Sequence, residues 1–251
     1  MSVIKKLVST SLAIILSMTS VLHASANFQK KVPGSYLGNS SNYESYLDSL
    51  SEDEIIKMNE KLIRAKTIEE QIIHLNKDSK VNENKSATKI SIPGTFTIYF
   101  QLNDYYCSPA CVKSVLQYIN GYSSSQSAIA YDLDTDPIYG TDFYKVPPYL
   151  NQKQNDCQYL LSTLPSQSSM CAKIYSTIYY DEAPCIMDIE DDDNTYWYYY
   201  ETDGHSLVVN AIYSDYNRIQ FADPLGGEDN IPAFYTKYSS TVSHVCLALA
   251  F

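Results

Sequence analysis

What constrains this chain most is the order of its two hydrophobic patterns: beyond residue 91, helical spacing comes first and strand-like runs come last. Ser108 to Asn120 carries apolar residues at helical intervals, Val112, Val115, Leu116 and Ile119, and Gly121 supplies a stop. Further helices are expected over Ser125–Leu133 and Ser166–Tyr180, with looser structure between them around Pro137, Pro147 and Pro148. Thr95 to Gln101 reads as a leading strand, and Pro184–Ile189, Ser206–Tyr213, Arg218–Ala222 and Val242–Ala250 read as later ones. Helices first and antiparallel-type strands afterwards predict one α+β domain over residues 91–251.

Upstream the composition differs. Two S/T-x-x-E capping boxes, Ser51 to Glu54 and Thr67 to Glu70, each precede apolar residues at helical spacing and predict two helices. Residues 27–48 are rich in Ser, Asn, Gly and Tyr and read as a flexible tether, while the polar stretch 76–90 marks a boundary near residue 90. The first 26 residues pair Lys5 and Lys6 with an apolar run from Leu7 to Leu22 and end in Ala24-Ser25-Ala26. That is the form of a secretory signal peptide. The run is short and interrupted for a membrane anchor, so stable membrane insertion is not expected and an extracellular location is, in a Gram-positive bacterium.

Loss of residues 1–26 removes two lysines and no acid, which takes the net charge from −11 to −13. A strongly acidic exported protein is a poor partner for nucleic acid, whose phosphates demand Lys and Arg. All six cysteines, Cys107, Cys111, Cys157, Cys171, Cys185 and Cys246, lie beyond the leader. Outside the cytosol an even number invites three bridges; free thiols are the other reading.

Cys107 opens the helix at 108–120, and Pro109 suits a first turn, where a missing N–H costs nothing. Unsatisfied N–H groups at such a position favour a thiolate. Cys111, one turn on, lies deeper and reads as a core or bridged residue. A nucleophile needs a base, and only His74, His205 and His244 follow the leader. His74 belongs to a charged helix and His244 to the closing strand. His205 follows Gly204 and opens a buried strand, so it is the best base. A hairpin closing between Ser214 and Asn217 returns the next strand antiparallel and sets Asp223 beside His205, where a carboxylate fixes the tautomer. Gln101, six residues before Cys107, is a candidate oxyanion donor.

Gln101 with Cys107 six positions on, the Cys-x-Pro-Ala helix start, Gly-His-x-x-Val-Val from Gly204, and Ala222-Asp223-Pro224 followed by Gly226 together resemble the bacteriocin-processing (double-glycine leader) peptidases, within the papain-like cysteine peptidases. The resemblance spans roughly residues 93–251. It implies a papain-like fold in which a helical part carrying the nucleophile packs on an antiparallel sheet carrying His and Asp. It further implies Cys107 as nucleophile, His205 as general base and acid, Asp223 as its orienting group and Gln101 as oxyanion donor beside the Cys107 N–H. The implied activity is a cysteine peptidase or amide hydrolase acting on a peptide or protein, with no metal or organic cofactor. Two departures stand out. Ser108 occupies the position after the nucleophile, where the family usually has glycine, and the leader-cleaving members are generally fused to a membrane transporter. The double-glycine substrate therefore does not carry over.

Two rivals share the scaffold: a silent binding module with all six cysteines bridged, and an acyl transferase passing the acyl group to an amine. The run Asp188, Glu190, Asp191, Asp192, Asp193 reads as a solvated acidic loop rather than a calcium site, since it lacks the EF-hand pattern. It leads into His205 and is expected to line the cleft and favour basic peptides. Residues 27–90 read either as an inhibitory propeptide or as a packing appendage. The oligomeric state is left open.

Overall fold

The longest strand of the chain, β6 (Thr202–Tyr213), is buried throughout Gly204–Ile212, the run of a strand covered on both faces. A computed structural model describes residues 34–78, 86–192, 195–197, 199–227 and 231–251. In it β6 is the spine of a seven-stranded antiparallel sheet ordered β4 (Leu161–Thr163), β9 (Cys246–Ala250), β5 (Cys185–Asp191), β6, β7 (Arg218–Ala222) and β8 (Phe234–Tyr238). A further short strand, β2 (Lys89–Ser91), pairs with the far end of β6. Helices α3 (Cys107–Asn120) and α6 (Gln167–Tyr180) pack on the spine. The fold is α+β, with the helical part leading and the sheet following, as the element order predicts.

The helices begin and end where local chemistry lets them. Gly121 stands at φ 75° and closes α3 with its N–H on the Gln117 carbonyl. Ser125 and Ser166 cap α4 (Gln126–Asp132) and α6 by accepting from the N–H groups of Ala128 and Ser169. α5 (Val146–Lys153) takes Pro147 and Pro148 into its first turn, so residues expected to be loose are helical.

Several expectations are corrected. Residues 95–101 form no strand. Their donors go elsewhere: Tyr99 N–H to Ser114 Oγ at 2.9 Å and Gln101 N–H to the Pro224 carbonyl at 2.9 Å. The alternation there records only that Phe96 and Ile98 are buried. The two upstream helices are one, α2 (Glu52–Asp78). The box at Ser51 forms, with Glu54 Oε2 accepting from Ser51 N–H at 2.8 Å. Thr67 instead donates its hydroxyl to the Ile63 carbonyl at 2.9 Å, because Met58, Ala65, Ile68 and Ile72 make one continuous buried stripe across it. Val242–Ala250 is not one strand but α7 (Ser239–Val245) running into β9.

Within the stretch read as a tether, β1 (Ser35–Tyr36) and α1 (Ser41–Ser49) are ordered. β1 pairs in parallel with β3 (Thr141–Asp142), and Tyr43 buries its ring while its hydroxyl accepts from Leu161 N–H at 2.9 Å. Tyrosine-rich composition here signals packing rather than freedom. The expected signal peptide, residues 1–26, lies outside the described residues. α2 is fastened by Lys61, which is 2 % exposed, 2.8 Å from Asp181 and 3.0 Å from the Gln158 carbonyl, and by Arg64, 2.6 Å from Asp181.

Candidate active site

Cys107 is the first residue of α3 and is completely buried. His205 lies on β6, and the turn at 214–217 returns β7 so that Val208 faces Ala222. Asp223 is therefore the next residue beyond the register, and its Oδ1 stands 3.0 Å from His205 Nε2. The remaining nitrogen, Nδ1, is left for the Cys107 thiol, which lies close enough to the imidazole to help raise its pKa. The hairpin expected from the sequence, with a register shift between Val209 and Ala211, thus brings His205 and Asp223 together.

Asp223 is fully used. Oδ1 also accepts from Leu225 N–H at 2.9 Å, and Oδ2 accepts from the hydroxyls of Tyr200 at 2.8 Å and Tyr235 at 2.7 Å. Four bonds fill the carboxylate's acceptor sites. Burial works against its charge, but the His205 imidazolium and these donors outweigh burial and hold its pKa below the usual 3.8. Burial likewise opposes charge on His205. The Asp223 carboxylate and its hydrogen bond, with Cys107 alongside, prevail and raise the imidazole from 6.5 to about 10. Tyr200 also sets its ring edge-on to the imidazole, centroids 5.3 Å apart. The sequence reading missed both tyrosines; nothing local marks either among 24 in the chain.

Gln101 sits in the segment leading to α3. Its Nε2 donates to the carbonyls of Asn103 and Asp104, each at 3.1 Å, so the amide braces the turn before Cys107. Ser108 places its Oγ 2.7 Å from Ser206 Oγ, an interior pairing that glycine could not make. His74 is exposed on α2, and His244 stacks on Tyr196 at 4.5 Å.

All six cysteines are free and buried, so the three-bridge framework is not present. Burial raises the thiol pKa at Cys111, Cys157, Cys171, Cys185 and Cys246, to about 12 at Cys171 and Cys185. Cys111 Sγ donates to the Ser206 carbonyl at 3.2 Å, a core role. Of the acidic run, Asp192 is exposed and Asp193 lies outside the described residues, but Asp188 and Asp191 are not solvated. Asp188 is completely buried, and Asp191 Oδ2 accepts from the N–H groups of Tyr196 at 3.0 Å and Trp197 at 2.5 Å. These carboxylates are spent on turn and interior hydrogen bonds. Among the described residues no group of three or more His, Cys, Asp or Glu could hold a metal ion, and no helix is long and apolar enough to cross a membrane.

A family model, the Peptidase_C39 like family, matches residues 94–244. The chain belongs to that family. This C39-like chain is accordingly a cysteine peptidase by family, and the matched span contains Cys107, His205, Asp223 and Gln101. Among solved structures, it is similar to the peptidase domain of Streptococcus ComA, a bi-functional ABC transporter involved in quorum sensing, at 14% identity and TM-score 0.42, over 62% of this chain and 97% of that one. It is also similar to xylellain, a cysteine protease from Xylella fastidiosa, at 9% identity and TM-score 0.51, over 90% of this chain and 98% of that one. The second likeness is one of fold, and it extends over most of the C39-like chain. No curated protein matches it.

Proposed function

We propose that this chain is an exported peptidase or amide hydrolase in which Cys107 is the nucleophile, His205 the general base and acid, Asp223 the orienting group and Gln101 the oxyanion donor. The observation that carries the reading is the imidazole of His205 held 3.0 Å from Asp223 by one nitrogen, with Cys107 buried at the start of α3 and near enough to influence its charge. Peptide-bond cleavage needs a proton to leave sulfur and reach the departing amine, and one imidazole between the two can move it.

His205 accepts the Cys107 proton, and the thiolate attacks the substrate carbonyl to form a C–S bond. The carbonyl oxygen gains negative charge, met by the Cys107 backbone N–H and one Gln101 N–H released from its carbonyl partners. The C–N bond then breaks as the imidazolium protonates the amine. Water, deprotonated by His205, attacks the thioester carbon, releases the acid and returns the proton to sulfur. Asp223 keeps Nε2 protonated and supports the cation. The N-terminal leader composition supports export, and the excess of acid over base supports peptide rather than nucleic-acid partners.

Labelling with an electrophilic peptide probe tests the assignment. Wild type should label at Cys107, whereas Cys107→Ala and His205→Ala, folded by circular dichroism, should not. Labelling that survives Cys107→Ala would refute it.

A further inference from the structure

Ser35 reaches from β1 into the interior immediately beside the proposed triad. It is 2 % exposed. Its hydroxyl donates to Asp188 Oδ1 and accepts from Ser206 Oγ at 3.0 Å, and Ser206 Oγ lies 2.7 Å from Ser108 Oγ. Ser206 directly follows His205, and Ser108 directly follows Cys107. Asp188 and Ser206 are cross-strand partners on β5 and β6, so the pocket is built on the rigid centre of the sheet.

The segment that delivers Ser35 is extended, paired by its backbone on one side and pressed against the β6 backbone on the other. On one side the Gly34 carbonyl accepts from Thr141 N–H at 2.9 Å and β1 pairs with β3. On the other, Gly34 and Gly204 approach so closely that a Cβ on Gly34 would overlap the Gly204 carbonyl oxygen, and one on Gly204 the Ser35 oxygen. Gly204 adjoins His205. An extended chain gripped through its backbone, with one side chain sunk in a pocket, is how a strand-like peptide is recognised. Here the grip lies against the residues that flank the nucleophile and base, and it coincides with complete burial of Cys107.

We propose that Asp188, Ser206 and Ser108 form a side-chain specificity subsite that takes a short hydroxyl-bearing residue of the substrate, serine foremost, and that Ser35 occupies it as the chain's own stand-in. This rests on the peptidase reading. The chemistry of the pocket sets the preference. A buried carboxylate demands a donor, so an apolar side chain would remove one from Asp188 at a cost. A lysine would have to fold its whole stem into the space that one hydroxymethyl group fills. Sites built to hydrogen-bond a substrate hydroxyl discriminate far more strongly than those that sense a methylene.

The test uses the full chain carrying Gly34→Val, which the Gly204 oxygen cannot accommodate, so that the segment is displaced. Its Cys107 should be alkylated by the peptide probe at least about tenfold faster than in wild type; an unchanged rate means that Ser35 does not lie in the substrate path and overturns the proposal. Against a peptide library, the Gly34→Val chain should favour serine over leucine at one fixed position by about tenfold or more in kcat/KM. Asp188→Leu in that background should abolish or reverse the preference, and Asp188→Asn, the gentler change in volume and polarity, should weaken it. Cleavage with the same preference in both Asp188 variants, or a preference for leucine or lysine, overturns the subsite and leaves the peptidase reading standing. A chain that neither cleaves any peptide nor labels at Cys107 overturns both.

Discussion

Asp223 carries four hydrogen bonds, from His205, Leu225, Tyr200 and Tyr235, and only a carboxylate accepts at every one of them. Asp223→Asn turns one acceptor into a donor facing hydroxyl or imidazole donors. In the proposed mechanism kcat/KM should fall about 10²- to 10⁴-fold. The alkaline limb of its pH profile should also move toward neutrality, because burial, which lowers the His205 pKa, then loses the opposition that lifts it to about 10. A limb that stays in place in the residual activity would show that Asp223 does not set the imidazole. The other five thiols should be spectators. Cys111→Ala should keep probe labelling at Cys107, and titration in denaturant without reductant should count six thiols.

At the scale of elements, α2 shows how the same four-residue pattern takes two roles. Ser51 forms its capping box at the start of the helix, whereas Thr67 bonds back to Ile63 in mid-helix. Thr67→Ala should therefore stabilise by a few tenths of a kcal/mol through helix propensity, where loss of a true cap would cost about 1 kcal/mol. Urea melts separate the two signs. Lys61 fastens the helix to the core. Burial opposes its charge, yet Cys157 and Asp181 outweigh burial and hold its pKa above the usual value. Lys61→Ala should destabilise by about 3 kcal/mol, the low end for breaking a buried pair, since Arg64 remains on Asp181.

For the whole molecule, the His205–Asp223 pair makes stability depend on pH. The His205 pKa is raised, so its contribution is complete below 6.5 and is lost as pH climbs through about 10. The Asp223 pKa is depressed, so its contribution is complete above 3.8 and is lost as pH falls through the lower folded value. The pair should support the fold most between about pH 3.8 and 6.5. Wild-type urea midpoints should decline from that window toward pH 10, and Asp223→Asn should flatten the decline. Residues 34–91 bear on the same question. A chain beginning at Ile92 loses Lys61 and Arg64 from Asp181 and β2 from β6, and should unfold at lower urea than one beginning at Asn27. If the two chains instead match in stability and activity, the N-terminal region is neither a structural support nor an inhibitor.

What the sequence determined by itself is what local rules govern. Pro109 and the stripe from Val112 to Ile119 put Cys107 at a helix start, and a four-residue turn between two strands brought Asp223 back towards His205, because side-chain period and the hairpin return follow from backbone geometry. The α+β order was legible for the same reason. The register shift between Val209 and Ala211, which sets those two side chains on one face, was not legible. Tertiary structure alone decided the rest. Tyr200 and Tyr235 on Asp223, Lys61 on Asp181, and Ser35 on Asp188 join residues as far as 153 positions apart. Even Thr67 and residues 95–101, whose patterns named a cap and a strand, were settled by which neighbours arrived. A polar group buried in a folded chain must find its partner in space, and adjacency in space is not written in any local stretch.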